Sequence, residues 1–182
     1  MATKEEKDAY KTNPKLLLEA LNGAPGKNGP CPLTKAEAAF HVWNYSVAGV
    51  SAAAECRDAI PLLLAMLKSH GTEAPDDTVH SVAGALAYLS RVDEHRSEIA
   101  AHPVPTLLGN LLTHPTSNRI PQVASQCLLE LSGDEECCRF SAMLAAMPAM
   151  LGFVSWELPR CADAEQCGPT LTHVLKTLVC MT

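Results

Sequence analysis

Near the end of this 182-residue chain stand Cys161, Cys167, His173 and Cys180, side chains of the types that hold zinc. Structural zinc sites use such ligands in pairs two to four residues apart, because a tetrahedral ion needs its donors close together. Here five, five and six residues intervene. His173 and Cys180 lie seven apart on one helical pattern, about 10 Å along its axis, too far to share an ion bound at about 2.0–2.3 Å. No metal site and no cofactor are therefore expected. The neighbouring Cys137 and Cys138 read as one packed and one exposed thiol. Nucleophilic catalysis finds no better footing. The chain has no Gly-x-Ser-x-Gly elbow, no His-Glu-x-x-His pair and no Walker-type glycine loop. Its histidines are scattered, and no catalytic residues are expected: the chain reads as a non-enzyme.

Charge and composition narrow the partners. With 14 Lys and Arg against 20 Asp and Glu, the formal net charge is −6. That balance disfavours phosphate backbones, which need clustered basic side chains, and anionic membrane surfaces. The first ten residues alternate charges of both signs and lack the apolar stretch of a secretory signal. The longest apolar run, Ala142 to Val154, covers 13 residues and contains Pro148 and Gly152, against about 20 for a membrane span. Neither nucleic acid nor membrane is expected as a partner. Eight cysteines without a secretory signal fit reduced thiols and a cytoplasmic location.

The elements that would position any site emerge from self-similarity. Four segments open with proline and continue in leucine-rich turns: Asn13 to Leu21, Ile60 to Leu67, Val104 to Leu112 and Met147 to Val154. Their prolines, at 14, 61, 105 and 148, stand 47, 44 and 43 residues apart. Proline suits the first turn of a helix, where its missing N–H has no partner to lose, so each is expected to mark a helix start. A longer helix is expected after each: Thr34 to Ala48, Asp77 to Arg91, Pro121 to Ser132 and Pro169 to Met181. Val79, Val82, Ala83, Leu86 and Leu89 show the one-sided helical stripe. Shorter helices, among them Asp93 to Ala101 and Asp134 to Ala142, begin with acids that favour a helix N-terminus. Loops are expected at Asn22 to Pro32, Ser69 to Asp76, His114 to Arg119 and Trp156 to Gly168.

This pattern resembles the armadillo repeat family, with HEAT repeats the nearest alternative. The resemblance rests on Ile60-Pro61-x-Leu-Leu-x-x-Leu67, on the small-residue helix Ser81 to Ser90, and on Ala39-Phe40-His-Val-Trp-Asn44 to Gly49. It implies an all-α, right-handed superhelical solenoid of about four repeats in one domain, 1–182, with approximate units 1–49, 50–91, 92–133 and 134–182. In that family the last helix of each repeat lines a concave groove. An asparagine ladder there clamps a peptide backbone, since an amide side chain both donates and accepts, and aromatic slots receive cations.

Aligned on Ser46, Ser90, Ser132 and Leu178, the units are read with Asn44, Tyr88, Glu130 and Thr177 on the ladder. Phe40, Gly84, Gln126 and His173 are read at the aromatic slot. Only Phe40 and Asn44 match the family's pattern, so an import-adaptor role is not expected. The expected function is a non-enzymatic scaffold or adaptor that binds a peptide or helix of another protein through Phe40, Asn44, Tyr88, Gln126, Glu130 and His173. The alternative is a structural subunit that contacts its neighbours through outer helices and an apolar C-terminal end, including a homodimer through the last helix. Trp43 reads as packing against the next unit, and Trp156 as partly exposed.

Overall fold

A computed structural model describes residues 4–26, 29–70, 76–113, 119–161 and 168–182 of the chain. Among these residues the secondary structure is all α, with no strand. The helices gather into two compact units, 1–95 and 96–182.

The first unit contains α1 (Lys4–Thr12), α2 (Pro14–Leu21), α3 (Lys35–Val47), α4 (Val50–Glu55), α5 (Ile60–His70) and α6 (Asp76–Leu89). Local chemistry sets the helix starts. Pro14 occupies the first turn of α2, and Asn13 caps it by accepting from the amides of Lys15 (3.0 Å) and Leu16 (3.4 Å). At α3 the expected capping box forms. Thr34 Oγ1 accepts from the Glu37 amide at 3.2 Å, and the Glu37 carboxylate accepts from the Thr34 amide at 2.7 Å. Helix α3 packs against α2 and α6, and α6 against α5. The core between them holds Leu17, Leu21, Val42, Leu63, Leu86 and Leu89, each almost wholly buried.

The division between the units falls within α7 (Asp93–Ala100). The second unit continues with α8 (Val104–Leu111), α9 (Arg119–Leu131), α10 (Glu135–Cys138), α11 (Ser141–Glu157) and α12 (Pro169–Cys180). Helices α8 and α9 pack together, as do α11 and α12; α11 also lies on α8, and α12 on α9. Gly109 of α8 lies at the close approach of α11 to α8. A Cβ there would lie 3.3 Å from Ala149 and 3.5 Å from Ala146.

The long helices repeat one burial pattern. Ala39, Val42 and Ser46 on α3 are buried, as are Ala83, Leu86 and Ser90 at the same intervals on α6, and Ser125, Leu128 and Ser132 on α9. Each closing serine turns its hydroxyl back to its own helix, donating to Val42 O (2.8 Å), Leu86 O (2.7 Å) or Leu129 O (2.8 Å). The hydroxyl is thereby satisfied inside the core. On α12, Leu171 and Val174 keep the pattern, but the buried hydroxyl belongs to Thr177, which donates to His173 O at 2.9 Å.

Three expectations need correction. Pro148 does not begin a helix: α11 runs continuously through it, and the short helix before it ends at Cys138. A proline inside a helix removes one i→i−4 bond and crowds the preceding turn. Here the carbonyl deprived of its donor is that of Leu144, which is exposed, so water can serve it. The loop after α11 consequently starts beyond Trp156, with a 3₁₀ turn at Leu158–Arg160. Finally, Cys137 and Cys138 are both buried, not one in and one out, because four-residue α10 turns both thiols inward.

Continuity through Pro148 also makes Ser141–Arg160 long and apolar enough to cross a membrane by length and composition, with mean hydropathy 1.3. Of its most apolar window 22 % is buried, with Met143, Ala146, Met150 and Phe153 on the side facing its unit.

Candidate functional site

The six residues read as groove-lining fall three to each unit. In the first unit, α3 and α6 bring aromatic rings together. Trp43, half-buried on α3, lies 6.3 Å from Phe40 and 6.4 Å from Tyr88 between ring centroids, with His80 edge-on at 5.0 Å. Phe40 is 42 % exposed and Asn44 stands exposed one turn further along the same helix. Trp43 is thus the packing residue it was read to be. Its indole rests on the backbone of Gly84, where a Cβ would come within 2.5 Å of the ring. Glycine at this position makes room for the indole, which removes Gly84 as an aromatic slot.

The guanidinium of Arg91 lies 4.1 Å above the Tyr88 ring, a cation–π contact that occupies one face of Tyr88. Neither His80 nor Arg91 was among the residues read from the sequence. Their signal was present: His80, Gly84 and Tyr88 recur at four-residue intervals on one face of α6, and Arg91 follows three residues on.

In the second unit, Gln126 and Glu130 sit half-buried one turn apart on α9, and His173 is half-buried on α12. Burial lowers the His173 pKa from its ordinary 6.5, with Lys176 adding to the shift and Glu130 opposing it. His173 Nδ1 lies 3.3 Å from Ser125 Oγ, and that hydroxyl already donates to Gln122 O at 2.9 Å. Ser125 has one proton to give, so Nδ1 is the donor and neutral His173 presents Nε2 as an acceptor. The result is a polar cluster joining α9 to α12.

The fourth unit is also out of register by one residue. Counting back from Leu178 as from the three serines arrives at Lys176 and Thr172, not at Thr177 and His173. Thr177 is wholly buried with its hydroxyl turned inward. It cannot stand on a ladder facing a ligand.

The cysteine-rich end does not assemble a metal centre among the described residues. Cys161 is half-buried and Cys180 exposed, while Cys167 lies outside the described residues. Cys31, Cys56, Cys137, Cys138 and Cys180 are free thiols. Burial raises the Cys137 and Cys138 pKa values, and pushes that of Cys56 up to about 11. Thiolate is the reactive form of cysteine, so these three are poor nucleophiles at neutral pH.

No protein-family model matches the chain, and no curated protein does. A crystal structure of an engineered protein, from the Northeast Structural Genomics Consortium, is similar to it with a TM-score of 0.67 at 20 % identity. The match covers 92 % of this chain and 62 % of that one, so this chain spans less than two thirds of its neighbour. At that identity the likeness concerns the fold alone.

Proposed function

We propose that the chain is an armadillo-like helical repeat protein acting as a non-enzymatic scaffold, and that its long helices bind an extended segment of a partner protein. The observation that carries this reading is the surface of the first unit. Phe40 and Asn44 lie exposed one turn apart on α3, Trp43 between them meets Tyr88 of α6, and Arg91 on the turn after α6 lies over the Tyr88 ring. An aromatic ring next to an amide able to donate and accept together is suited to an extended peptide backbone and its side chains. The recurring burial of α3, α6 and α9 supports the repeat assignment.

Selection of peptides from a random display library, followed by calorimetric titration of those recovered, tests this function. Asn44→Ala with Tyr88→Ala is expected to weaken a selected peptide at least about tenfold, the value of one to two lost hydrogen-bonding or packing contacts. Circular dichroism first establishes that the variant retains its helicity. Peptides bound equally well by parent and variant would refute the proposed surface.

The second reading, a subunit of a larger assembly, has its own support. Leu144, Leu151 and Leu158 recur at seven-residue intervals along and just beyond α11, each at least half exposed, and Val179 on α12 is 72 % exposed. Such surface is costly in water and usually marks contact with another chain. Sedimentation of the parent against Leu151→Lys with Val179→Glu separates the readings: association lost in the variant favours the assembly.

A further inference from the structure

Within the second unit a cavity of about 760 Å³ opens between the C-terminal turns of α8 and α11 and the first turns of α9 and α12. Its volume falls within the range of about 300–1,000 Å³ typical of small-molecule sites. Leu112, Pro121, Phe153, Trp156 and Leu171 supply apolar wall. Leu112, Phe153 and Leu171 belong to the buried core, whereas Trp156 is 54 % exposed, with its ring tilted to that of Phe153 at a centroid separation of 6.4 Å.

The polar part of the wall is smaller and mixed. Arg160 lies with its guanidinium 3.9 Å above the Trp156 ring and donates from Nη1 to Trp156 O. The stacking and the hydrogen bond fix the orientation of the fork, and the remaining N–H groups are free to meet an anion. The Thr113 and Thr170 hydroxyls add two donors, and Glu157 adds one negative charge.

From this division we infer that the cavity binds a small apolar monocarboxylate, its hydrocarbon or aryl body against Phe153, Trp156 and Leu171 and its carboxylate on Arg160. Two features select the class. An apolar floor under one oriented guanidinium matches a ligand with one charged end. Glu157 at the same wall penalises a second negative charge, so a carboxylate is preferred to a doubly charged phosphate head. This site lies on different residues from the surface proposed for partner binding, so either can fail without the other.

Titration calorimetry of the full chain with decanoate, decyl phosphate and decylamine tests the assignment. Saturable one-to-one binding of decanoate is expected, with decyl phosphate and decylamine weaker. Arg160→Gln should lower decanoate affinity at least about tenfold, as loss of a charge-assisted hydrogen bond does. Glu157→Gln should narrow the gap between decanoate and decyl phosphate. Arg160 is exposed and Glu157 half-buried, so both variants are expected to fold, and thermal melts check this. Decanoate binding unchanged by Arg160→Gln, decylamine binding tighter than decanoate, or no saturable binding would each overturn the inference.

Discussion

Replacing Gly84 by alanine gives the sharpest test of how the first unit is built. An alanine Cβ would lie 2.5, 2.6 and 2.7 Å from Cε3, Cδ2 and Cζ3 of Trp43, whereas non-bonded carbons rest at about 3.5–4.0 Å. Relief requires a displacement of about 1 Å. The neighbour is a rigid indole, not the end of a flexible side chain, and Phe40, His80 and Tyr88 surround it. Overpacking of this kind costs about 1–3 kcal/mol. Against it stands the helix preference for alanine over glycine, about 1 kcal/mol. The net expectation is destabilisation by up to about 2 kcal/mol.

The decisive feature is a change of sign. In a Trp43→Ala background the ring is gone and only the helix preference remains, so the same substitution should stabilise by up to about 1 kcal/mol. Urea unfolding followed by circular dichroism, applied to the four proteins of the cycle, reads the difference. A coupling of about 1–3 kcal/mol, the overpacking cost itself, is expected. Effects equal within about 0.5 kcal/mol in the two backgrounds would refute the claim that Gly84 exists to seat Trp43.

Other perturbations follow from the same geometry. Thr34→Ala should cost about 1 kcal/mol by uncapping α3. The Thr34 amide and hydroxyl hold the Glu37 pKa below its ordinary 4.5, partial burial opposing them and Lys7 and His41 assisting. Glu37 therefore adds stability above about pH 4.5 that is lost as pH falls through its lowered folded value, and Glu37→Gln should flatten urea midpoints measured through that window. For His173, the unfolded chain takes up its proton first as pH drops below 6.5, so stability falls until the lowered folded value is passed. His173→Gln should flatten that part of the profile, with His41→Gln, lowered mainly by burial, as the comparison. Pro148→Ala restores the Leu144 hydrogen bond. The helix preference of about 3 kcal/mol, less about 1 kcal/mol of added chain entropy when unfolded, gives a gain of about 2 kcal/mol in thermal or urea unfolding.

Helix type and approximate position were legible because apolar residues recur on one side of each long helix and because Thr34 and Glu37 stand at capping distance. The fourth proline misled for a physical reason. Proline at a helix start and proline inside a helix share the same local sequence, a leucine-rich stretch downstream. What separates them is the segment upstream, where Ser141 to Met147 is itself good helix. The candidate site was legible only in part. Repeat spacing singled out Phe40, Asn44 and Tyr88, but the ring contacts depend on α3 meeting α6, which no local spacing encodes. Arg91 escaped because a cation on the turn after a helix looks like ordinary surface until the ring beneath it is seen.

The fourth unit shows that recurrence of spacing is not recurrence of role. In α3, α6 and α9 a serine closes the buried stripe and satisfies its own hydroxyl. In α12 the buried stripe closes on Thr177, one residue before the Leu178 aligned with those serines, and Leu178 itself is half-buried. One residue on a helix is about 100° of rotation, so the two features separate onto different faces. Leu175 and Val179, one turn apart, are left facing solvent, and Leu144 and Leu151 of α11 are likewise exposed. Within one chain, polar hydroxyls close the buried stripes of three helices, while exposed leucine and valine mark the outer side of the last.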